Sequence, residues 1–336
     1  MESVNIKKLA QLLNLSIATV SKALRDSYDI SQETKDKVMK LAKELNYQPN
    51  PHASFLRKHS SKTIAVILPE IANNYFTLAI NGIESEAHEK GYHVIIYLSH
   101  EDHEREVAFT RHLQSGRADG VLISVASTTT DYSHLHDLEK KGLPIVFFDR
   151  VCEDFNTVKV TTDDYQSGYL ATKHLIEQGC KRIAHLAIST SLSIGSNRAK
   201  GYLQALQNHD VMSGESFLIE CVNDNVQDTE LIKDLLLHIK PDGIFAAVER
   251  YAIICYELCE AMQLNIPKDV KIISFSNMQT ASLLNPPLST ITQPAFEIGR
   301  EAASLLLKKL EKKNFQLPNE TIVIQSKLIP RKSTAN

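Results

Sequence analysis

The 336-residue sequence contains no tryptophan, few glycines and prolines (12 and 11), and an odd number of cysteines. So little glycine and proline argues against long disordered tracts. The five scattered thiols argue against a disulfide framework: Cys152, Cys180, Cys221, Cys255 and Cys259. The longest aliphatic runs, such as residues 64–68, are much too short to span a bilayer, and the first ten residues lack the apolar segment of a signal peptide. We therefore expect a cytoplasmic protein with no membrane partner.

Sequence signatures of catalysis are also missing. There is no G-x-x-x-x-G-K-[ST] loop, no G-x-G-x-x-G turn and no G-x-S-x-G elbow. Three residue pairs that could bind a metal lack the spacing or the second pair of a zinc site. We interpret His100 and His103 as solvated histidines and Cys255 and Cys259 as buried thiols. A metal site at His134 and His136 is similarly unsupported. The sequence thus predicts no enzyme, no cofactor and no metal.

What the sequence does contain is an uneven distribution of charge. Residues 1–62 carry 11 Lys and Arg against 6 Asp and Glu, whereas the remaining residues carry 26 against 34. Neutralising DNA phosphates requires basic side chains in one place, although a chance surplus of solvated lysines explains the same count. A chain of this length also exceeds one compact core, so we expect two or three domains.

The first 47 residues have the pattern of three short helices. Apolar residues recur at the spacing of one buried helix face at Ile6, Leu9, Ala10 and Leu13. Ser16 and Ser31 are suitable N-caps for a second and a third helix. The second helix would leave these residues on its outer side: Ile17, Ala18, Ser21, Lys22 and Arg25. Two short helices joined by a tight turn form a helix-turn-helix, whose second helix can enter the major groove of DNA.

A short connecting segment follows at residues 50–62. Asn50 before Pro51 is an N-cap followed by proline at the first helical position. Residues 53–58 would form barely two helical turns, which are too short to be stable unless they dock on something. Leu56 beside Arg57 resembles an apolar wedge with a phosphate-binding neighbour.

From residue 63 onward, short apolar runs alternate with helix-length amphipathic segments. The predicted strands lie within residues 63–68, 93–98, 120–124, 144–148, 182–187, 217–222, 243–248 and 270–275. Alternating strands and helices predict doubly wound parallel sheets, and two such series predict two similar subdomains with a ligand crevice at the carboxyl ends of the strands. We expect chain crossings near residues 158–162, 289–293 and 320–326. The predicted domains are residues 1–49, 50–62 and 63–336, the last divided into an N subdomain (63–160 and 291–322) and a C subdomain (161–290 and 323–336).

The residue order "IKKLAQLLNLSIATVSKAL" and "DISQETKDKVMKLAKELNYQPNPHASFLR" resembles the head of the lactose-repressor/galactose-repressor (LacI/GalR) family, and the resemblance continues over essentially the whole chain. It implies a helix-turn-helix head and a periplasmic-binding-protein-like body. It also implies a transcription regulator, most often a repressor, located on the nucleoid. Such a regulator would bind a pseudo-palindromic double-stranded DNA operator as a homodimer and respond to a carbohydrate-like effector.

The resemblance also assigns roles to particular residues. Base-facing residues would be Ile17, Ala18, Lys22 and Arg25. Phosphate-facing or positioning residues would be Ser16, Thr19, Ser21 and Asn50, and a hinge helix would insert Ala53 and Leu56 into the minor groove beside Arg57. The effector pocket would be lined by Asn74, Tyr75, Phe76, Ser124, Asp149, Arg198, Glu249, Ser276 and Gln293.

This sequence departs from the family pattern at some of these positions. Relatives commonly carry arginine in place of Lys22, so the half-site is expected to differ, since lysine lacks the planar fork that reads guanine. Val248 and Glu249 stand where asparagine and aspartate are typical, and Ser276 stands where many relatives have aspartate; these changes leave the effector open. Alternatives are a sensor that acts through protein contacts and a doubly wound enzyme. No leucine heptad follows the last strand, which favours a dimer over a tetramer.

Overall fold

The computed structural model describes residues 5–47, 60–211, 217–222, 224–312 and 314–335. The chain divides into two compact units, Met1–Ser61 and Lys62–Asn336, which we call the head and the body. The predicted hinge residues Asn50, Ala53, Leu56 and Arg57 lie outside the described residues. Among the described residues, none of the helices combines the length and apolarity needed to cross a bilayer.

The head contains three helices, α1 (Ile6–Leu12), α2 (Ile17–Ala23) and α3 (Gln32–Glu44). The predicted caps are confirmed, since the Ser16 hydroxyl accepts the Thr19 N–H at 3.0 Å and the Ser31 hydroxyl accepts the Thr34 N–H at 3.4 Å. One apolar cluster holds the helices together, and its buried members are Leu9, Ala10, Val20, Ala23, Val38 and Ala42. The helix-turn-helix predicted from the sequence is therefore present.

The body follows a strand–helix alternation. Its strands are β1 (Thr63–Leu68), β2 (His93–Leu98), β3 (Gly120–Ile123), β4 (Ile145–Phe148), β5 (Lys159–Thr162), β6 (Ile183–Ala187), β7 (Phe217–Glu220), β8 (Gly243–Ala246), β9 (Lys271–Phe275), β10 (Ser289–Thr292), β11 (Thr321–Ile324) and β12 (Lys327–Ile329). Its α-helices are α4 (Asn74–Glu89), α5 (His103–Leu113), α6 (Ser133–Lys140), α7 (Asp164–Glu177), α8 (Ser193–Asn208), α9 (Asn225–Asp234), α10 (Glu249–Ala261) and α11 (Ala295–Glu311). A π-helical turn follows α9 at Leu235–Ile239, and a 3-10 helix lies at Gln279–Leu283.

The strands form two six-stranded sheets with equivalent topology. The orders are β11-β5-β4-β3-β1-β2 in the N subdomain and β12-β10-β9-β8-β6-β7 in the C subdomain. All eight strands predicted from apolar runs are confirmed: six are largely buried and therefore almost continuously apolar, and the two edge strands, β2 and β7, are partly exposed. One strand differs from the predicted parallel arrangement: β12 runs antiparallel to β10. The chain enters the C sheet at the crevice after β11, so β12 starts where its neighbour ends.

The chain passes between the sheets three times, after β5, after β10 and between β11 and β12. Each passage falls two residues beyond the predicted subdomain boundary. Hydrogen bonds join two of the crossings: Asp163 Oδ1 accepts the Ser326 N–H at 2.8 Å, and the Thr162 hydroxyl donates to the Ile324 carbonyl at 2.9 Å. The crossings thus form a hydrogen-bonded strap on one side of the crevice.

In each subdomain, a glycine allows two neighbouring helices to pack with their backbones in direct contact. In the N subdomain, a Cβ added at Gly299 of α11 would lie 2.0 Å from the Ala79 carbonyl oxygen of α4. In the C subdomain, a Cβ added at Gly201 of α8 would lie 2.1 Å from the Tyr165 carbonyl oxygen of α7. Real Cβ atoms do not approach an oxygen so closely, so these contacts require glycine.

Candidate functional site

The outer face of α2 is the candidate contact surface of the head. Ile17, Ala18, Lys22 and Arg25 are exposed, as predicted for residues that reach a partner. Ser16 and Thr19 form the helix cap, and their hydroxyls lie 2.8 Å apart. Ser21 is half-buried. Arg25 lies just beyond the end of α2, and its Nε donates to the Ser21 carbonyl at 2.9 Å.

Lys22 is held by an acidic neighbour in the loop after α2. Its ammonium forms a salt bridge with Asp29, and the hydrogen bond from Lys22 is the largest cause that lowers the Asp29 pKa. Both side chains are exposed, so water screens the pair. Binding a phosphate or a base through Lys22 would require this bridge to open.

In the body, polar side chains from both sheets meet at the carboxyl ends of the strands. They surround a partly open cavity of about 40 Å³, and the predicted residues that line it are Tyr75, Phe76, Asp149, Arg198, Glu249, Ser276 and Gln293. Asn74 and Ser124 do not line this cavity. Asn74 instead donates to Glu249 at 2.6 Å, and the Ser124 hydroxyl donates to Asp149 at 3.2 Å. Both therefore support residues that do line the cavity.

Arg198 is anchored within the C subdomain. Its Nε donates to Asp164 Oδ1 at 2.8 Å and its Nη1 to the Ala247 carbonyl at 2.7 Å. The guanidinium lies 3.8 Å from the centroid of the Phe275 ring, which is a cation–π distance. Within the described residues Nη2 makes no hydrogen bond to protein. The Nη2 edge of a rigidly held guanidinium is thereby left for a ligand.

Asp149 follows β4 in a left-handed backbone conformation, with φ of 62°. Such a conformation is uncommon for a residue other than glycine and is found where the surrounding structure imposes it. Burial raises the pKa of Asp149, and the nearby Arg150 and Arg198 only partly offset this effect. Arg150 is the larger of these two offsetting charges; its Nε lies 4.0 Å from Asp149, while its Nη1 binds both oxygens of Glu101, each at 2.8 Å.

Glu249 connects the two subdomains. It begins α10 of the C subdomain, and its Oε2 accepts the Ser276 hydroxyl at 2.7 Å. Its Oε1 accepts the Asn74 amide from α4 of the N subdomain. The carboxylate that the sequence lacks at position 276 is thus supplied from a neighbouring strand end by Glu249.

Two other buried groups shape the cavity. The Tyr75 hydroxyl has no hydrogen-bond partner among the described residues, and burial, with the Asp149 charge as a smaller cause, raises its pKa. Burial also raises the pKa of Asp164 to about 6, although Arg198 acts in the opposite direction. A polar ligand could therefore satisfy the Tyr75 hydroxyl at the same time as the free edge of Arg198.

A second, larger cavity of about 890 Å³ opens beside the first one. Sequence reasoning missed its lining, which includes Glu101, Ser127, Thr128, Glu220, Cys221 and Tyr251. It also missed Asn277, whose side chain donates to the Gln293 carbonyl at 2.7 Å and holds the second crossing. Parallel sheets bind ligands at the carboxyl ends of their strands, so strand position alone could have identified Glu220, which ends β7, and Asn277, which follows β9. Glu101 lies in the four-residue loop after β2, which the sequence analysis did not consider as part of the crevice, and Ser127 lies in the longer loop after β3.

Both units match known families. Residues 5–50 match bacterial regulatory proteins of the lacI family, and residues 61–335 match periplasmic binding proteins and the sugar binding domain of the LacI family. The ribose operon repressor of Bacillus subtilis (strain 168) is 30% identical over 331 residues, which cover 98% of this chain and 98% of that protein.

Solved structures agree with these matches. A LacI family transcriptional regulator from Enterococcus faecium with bound ribose is 27% identical, with a TM-score of 0.72 over 81% of this chain and 98% of the other. The lac repressor dimer bound to operator and the anti-inducer ONPF gives a TM-score of 0.86 and covers 100% of both chains. Its identity of 21% supports the fold alone.

Proposed function

The chain belongs to the LacI family of bacterial regulators, and from this premise we propose that it is a repressor whose operator affinity responds to a neutral, hydroxyl-rich effector. The observation that carries the proposal is the convergence of side chains from both sheets on one polar cavity between the subdomains. The same chain carries a helix-turn-helix whose second helix exposes Ile17, Ala18 and Lys22. A sensor and a DNA reader are thereby joined in one polypeptide.

The charge around the cavity indicates the chemistry of the effector. Asp149 and Glu249 line it, and Asp164 lies directly behind Arg198. Two guanidiniums accompany these three carboxylates, and each is already paired: Arg198 with Asp164, and Arg150, which also lines the cavity, with Glu101. Such a site offers many hydrogen-bond acceptors to hydroxyl donors, and it disfavours phosphate or carboxylate groups through like-charge repulsion. The aromatic rings of Tyr75 and Phe76 suit the apolar face of a sugar ring. Relatives named for ribose are consistent with a neutral sugar.

On the DNA side, we assign base contacts to Ile17, Ala18, Lys22 and Arg25. Phosphate contacts or positioning are assigned to Ser16, Thr19, Ser21, Asn50 and Arg57, and minor-groove insertion to Ala53 and Leu56. A homodimer would place two heads on a pseudo-palindromic operator. Because binding free energies are reciprocally coupled, effector and operator must change each other's affinity by the same factor. Action on the nucleoid and the absence of catalysis follow from this role.

The first experiment selects duplex DNA from a random pool at two salt concentrations, with the full chain and with a chain lacking residues 1–62. We expect a two-fold symmetric motif that is lost on truncation. Motif-free, salt-sensitive binding would contradict base reading by the head, and no binding at all would favour a sensor that acts through protein contacts. Measuring log affinity against log salt then counts the neutralised phosphates.

The second experiment identifies the effector by calorimetry. Neutral pentoses and hexoses are compared with their phosphate esters, and we expect the esters to bind at least about tenfold more weakly. Arg198→Lys keeps a cation beside Asp164 but lacks the planar fork, so it should lose effector binding while still binding operator. Arg117→Lys, at an exposed position, is the matched control. Tighter binding of a phosphate ester than of the parent sugar would refute the neutral-effector proposal.

A further inference from the structure

Away from the crevice, two histidines and a glutamate of the N subdomain come together beneath the loop that follows β3. His103 and Glu106 lie three residues apart in the first turn of α5, so they share one face of that helix. His134 comes from the first turn of α6. Ligating atoms of the three side chains lie within 4.8 Å of one another. The sequence analysis considered only pairs of residues a few positions apart. It therefore missed this group, whose members lie on two different helices, α5 and α6.

Glu106 is the central member of this group, and it is fully buried. Its carboxylate accepts hydrogen bonds from the Ala126 N–H at 2.9 Å, the Thr129 hydroxyl at 3.1 Å and His134 Nε2 at 2.9 Å. Within the part of the chain that the structure describes, no lysine or arginine forms a salt bridge with it. A carboxylate removed from water is costly unless a positive charge accompanies it. A neutral imidazole supplies a hydrogen bond but no charge.

The two imidazoles also have unused binding capacity. His134 has a side chain only 5% exposed, and its Nδ1 is buried without a hydrogen-bond partner among the described residues. The rings of His103 and His134 meet edge to face, with their centroids 5.2 Å apart. His103 is half-buried, and its Nδ1 makes only a long contact of 3.4 Å with the Thr129 hydroxyl. A cavity of about 210 Å³ adjoins His134 and Asp131, which gives a hydrated ion a route to the group.

We propose that His103, Glu106 and His134 bind a divalent transition-metal ion, with Zn²⁺ as the representative ion. Two imidazole nitrogens and one carboxylate oxygen form a three-residue set that leaves a fourth position for water. The ion supplies the positive charge that Glu106 lacks. None of the three residues lines either cavity of the crevice, so the proposal does not depend on the identity of the effector.

Binding through His134 Nε2 would break its hydrogen bond to Glu106, and the single imidazole proton would move to Nδ1, so that His134 ligates as a neutral imidazole. The two atoms lie 2.9 Å apart as a hydrogen-bonded pair. Tetrahedral ligands at zinc bond lengths of about 2.0–2.1 Å are separated by roughly 3.4 Å, so the pair must open by about half an ångström. A rotation of the half-exposed His103 would complete the set without moving the helix backbones.

The test uses the full chain after metal removal with a chelator. Co²⁺ alone is added and followed by visible absorption, and Zn²⁺ alone is titrated by calorimetry. We expect one Co²⁺ per chain with the ligand-field band of a four-coordinate nitrogen and oxygen site, and displacement of that ion by Zn²⁺. His103→Gln should weaken Zn²⁺ binding by at least about tenfold. Because His103 is only half-buried, this variant should fold normally, and Glu106→Gln provides a second ligand variant.

His136→Gln is the matched control, since His136 lies on the same helix as His134 but is exposed and stacks on Phe155. It should bind Zn²⁺ as tightly as the unmodified chain. Absence of both the Co²⁺ band and saturable Zn²⁺ binding would overturn the proposal. Unchanged affinity in His103→Gln would overturn it as well, because any bound ion would then be held elsewhere, for example by surface histidines.

Discussion

The side-chain amide of Asn74 donates to the carboxylate of Glu249 at 2.6 Å, which joins the two subdomains across the mouth of the crevice. The pair links residues 175 positions apart in the chain. The three crossings join the subdomains covalently, and this contact adds a hydrogen bond between them. The contact can therefore break when the crevice opens, and hinge motion of this kind is a common response to ligands.

Breaking this contact should loosen the closed arrangement. Asn74→Ala removes the donor but leaves Glu249 hydrogen-bonded to Ser276 within its own subdomain. Because Asn74 is exposed, we expect a cost of about 1 kcal/mol to the closed form. Small-angle scattering without effector should report a larger radius of gyration, and amides around Phe76 and Val248 should exchange faster.

Ser276→Ala is the control for Asn74→Ala, since it removes a hydrogen bond to the same carboxylate without separating the subdomains. Its scattering profile should match that of the unmodified chain. If both variants expand equally, the effect comes from the altered Glu249 environment, and the Asn74 contact does not hold the crevice shut.

The salt bridge between Lys22 and Asp29 should restrain DNA binding by the head. Asp29→Asn frees the lysine for a base or phosphate, so operator affinity should rise at low salt. Asp26→Asn makes the same charge change at another loop aspartate, which pairs with Lys35, and controls for net charge. Filter binding with the selected operator measures both variants. In a Lys22→Ala background the advantage of Asp29→Asn over Asp26→Asn should vanish; its persistence would show that Lys22 does not mediate the effect.

Gly299 should be essential to the packing of α11 on α4. Gly299→Ala places a methyl group against the Ala79 carbonyl, so the helices must separate, and overpacking of this kind costs about 1–3 kcal/mol. The urea midpoint of the body should fall accordingly. Glu297→Ala, at an exposed position one half-turn earlier on α11, should change it little. Equal stability of Gly299→Ala and the unmodified chain would mean that the helix pair can separate without loss.

Much of this fold is visible in the sequence because burial shapes the strand pattern directly. Strand β1, completely buried, is a continuous run of apolar residues, and parallel strands covered on both faces read this way. Strands β11 and β12 are short and contain only exposed and half-buried residues, so the sequence indicated only a crossing there. The family resemblance placed Asp149, Glu249 and Ser276 at the crevice, which parallel sheets form at the carboxyl ends of their strands, without any knowledge of their partners.

The partners themselves were not predictable, because they depend on how separate elements pack. Arg198 is held by Asp164, on the preceding helix, and Glu106 meets His134 only because α5 and α6 lie side by side. Ser124 shows the limit of reasoning from position alone: it directly follows β3, but its hydroxyl turns to Asp149 and not to the cavity. Local pattern gives the position of a residue along an element, and tertiary packing decides what its side chain meets.

His185 should make the body less stable in mild acid. It is fully buried in β6, its ring stacks on Phe245 at 4.2 Å, and one of its nitrogens lies 3.0 Å from the Phe245 carbonyl. Burial lowers the pKa of His185 from 6.5 to about 4. The unfolded chain therefore binds a proton between pH 6.5 and about pH 4 that the folded chain does not.

The stabilisation from His185 is fully present above pH 6.5 and is lost as the pH falls toward 4, at up to about 1.4 kcal/mol per pH unit. Urea unfolding at several pH values in this window should show that His185→Phe, which cannot titrate, has a shallower decline than the unmodified chain. His136→Gln, which changes an exposed histidine, should decline in parallel with the unmodified chain. If His185→Phe declines just as steeply, the acid sensitivity arises from other groups and His185 takes up its proton without unfolding the body.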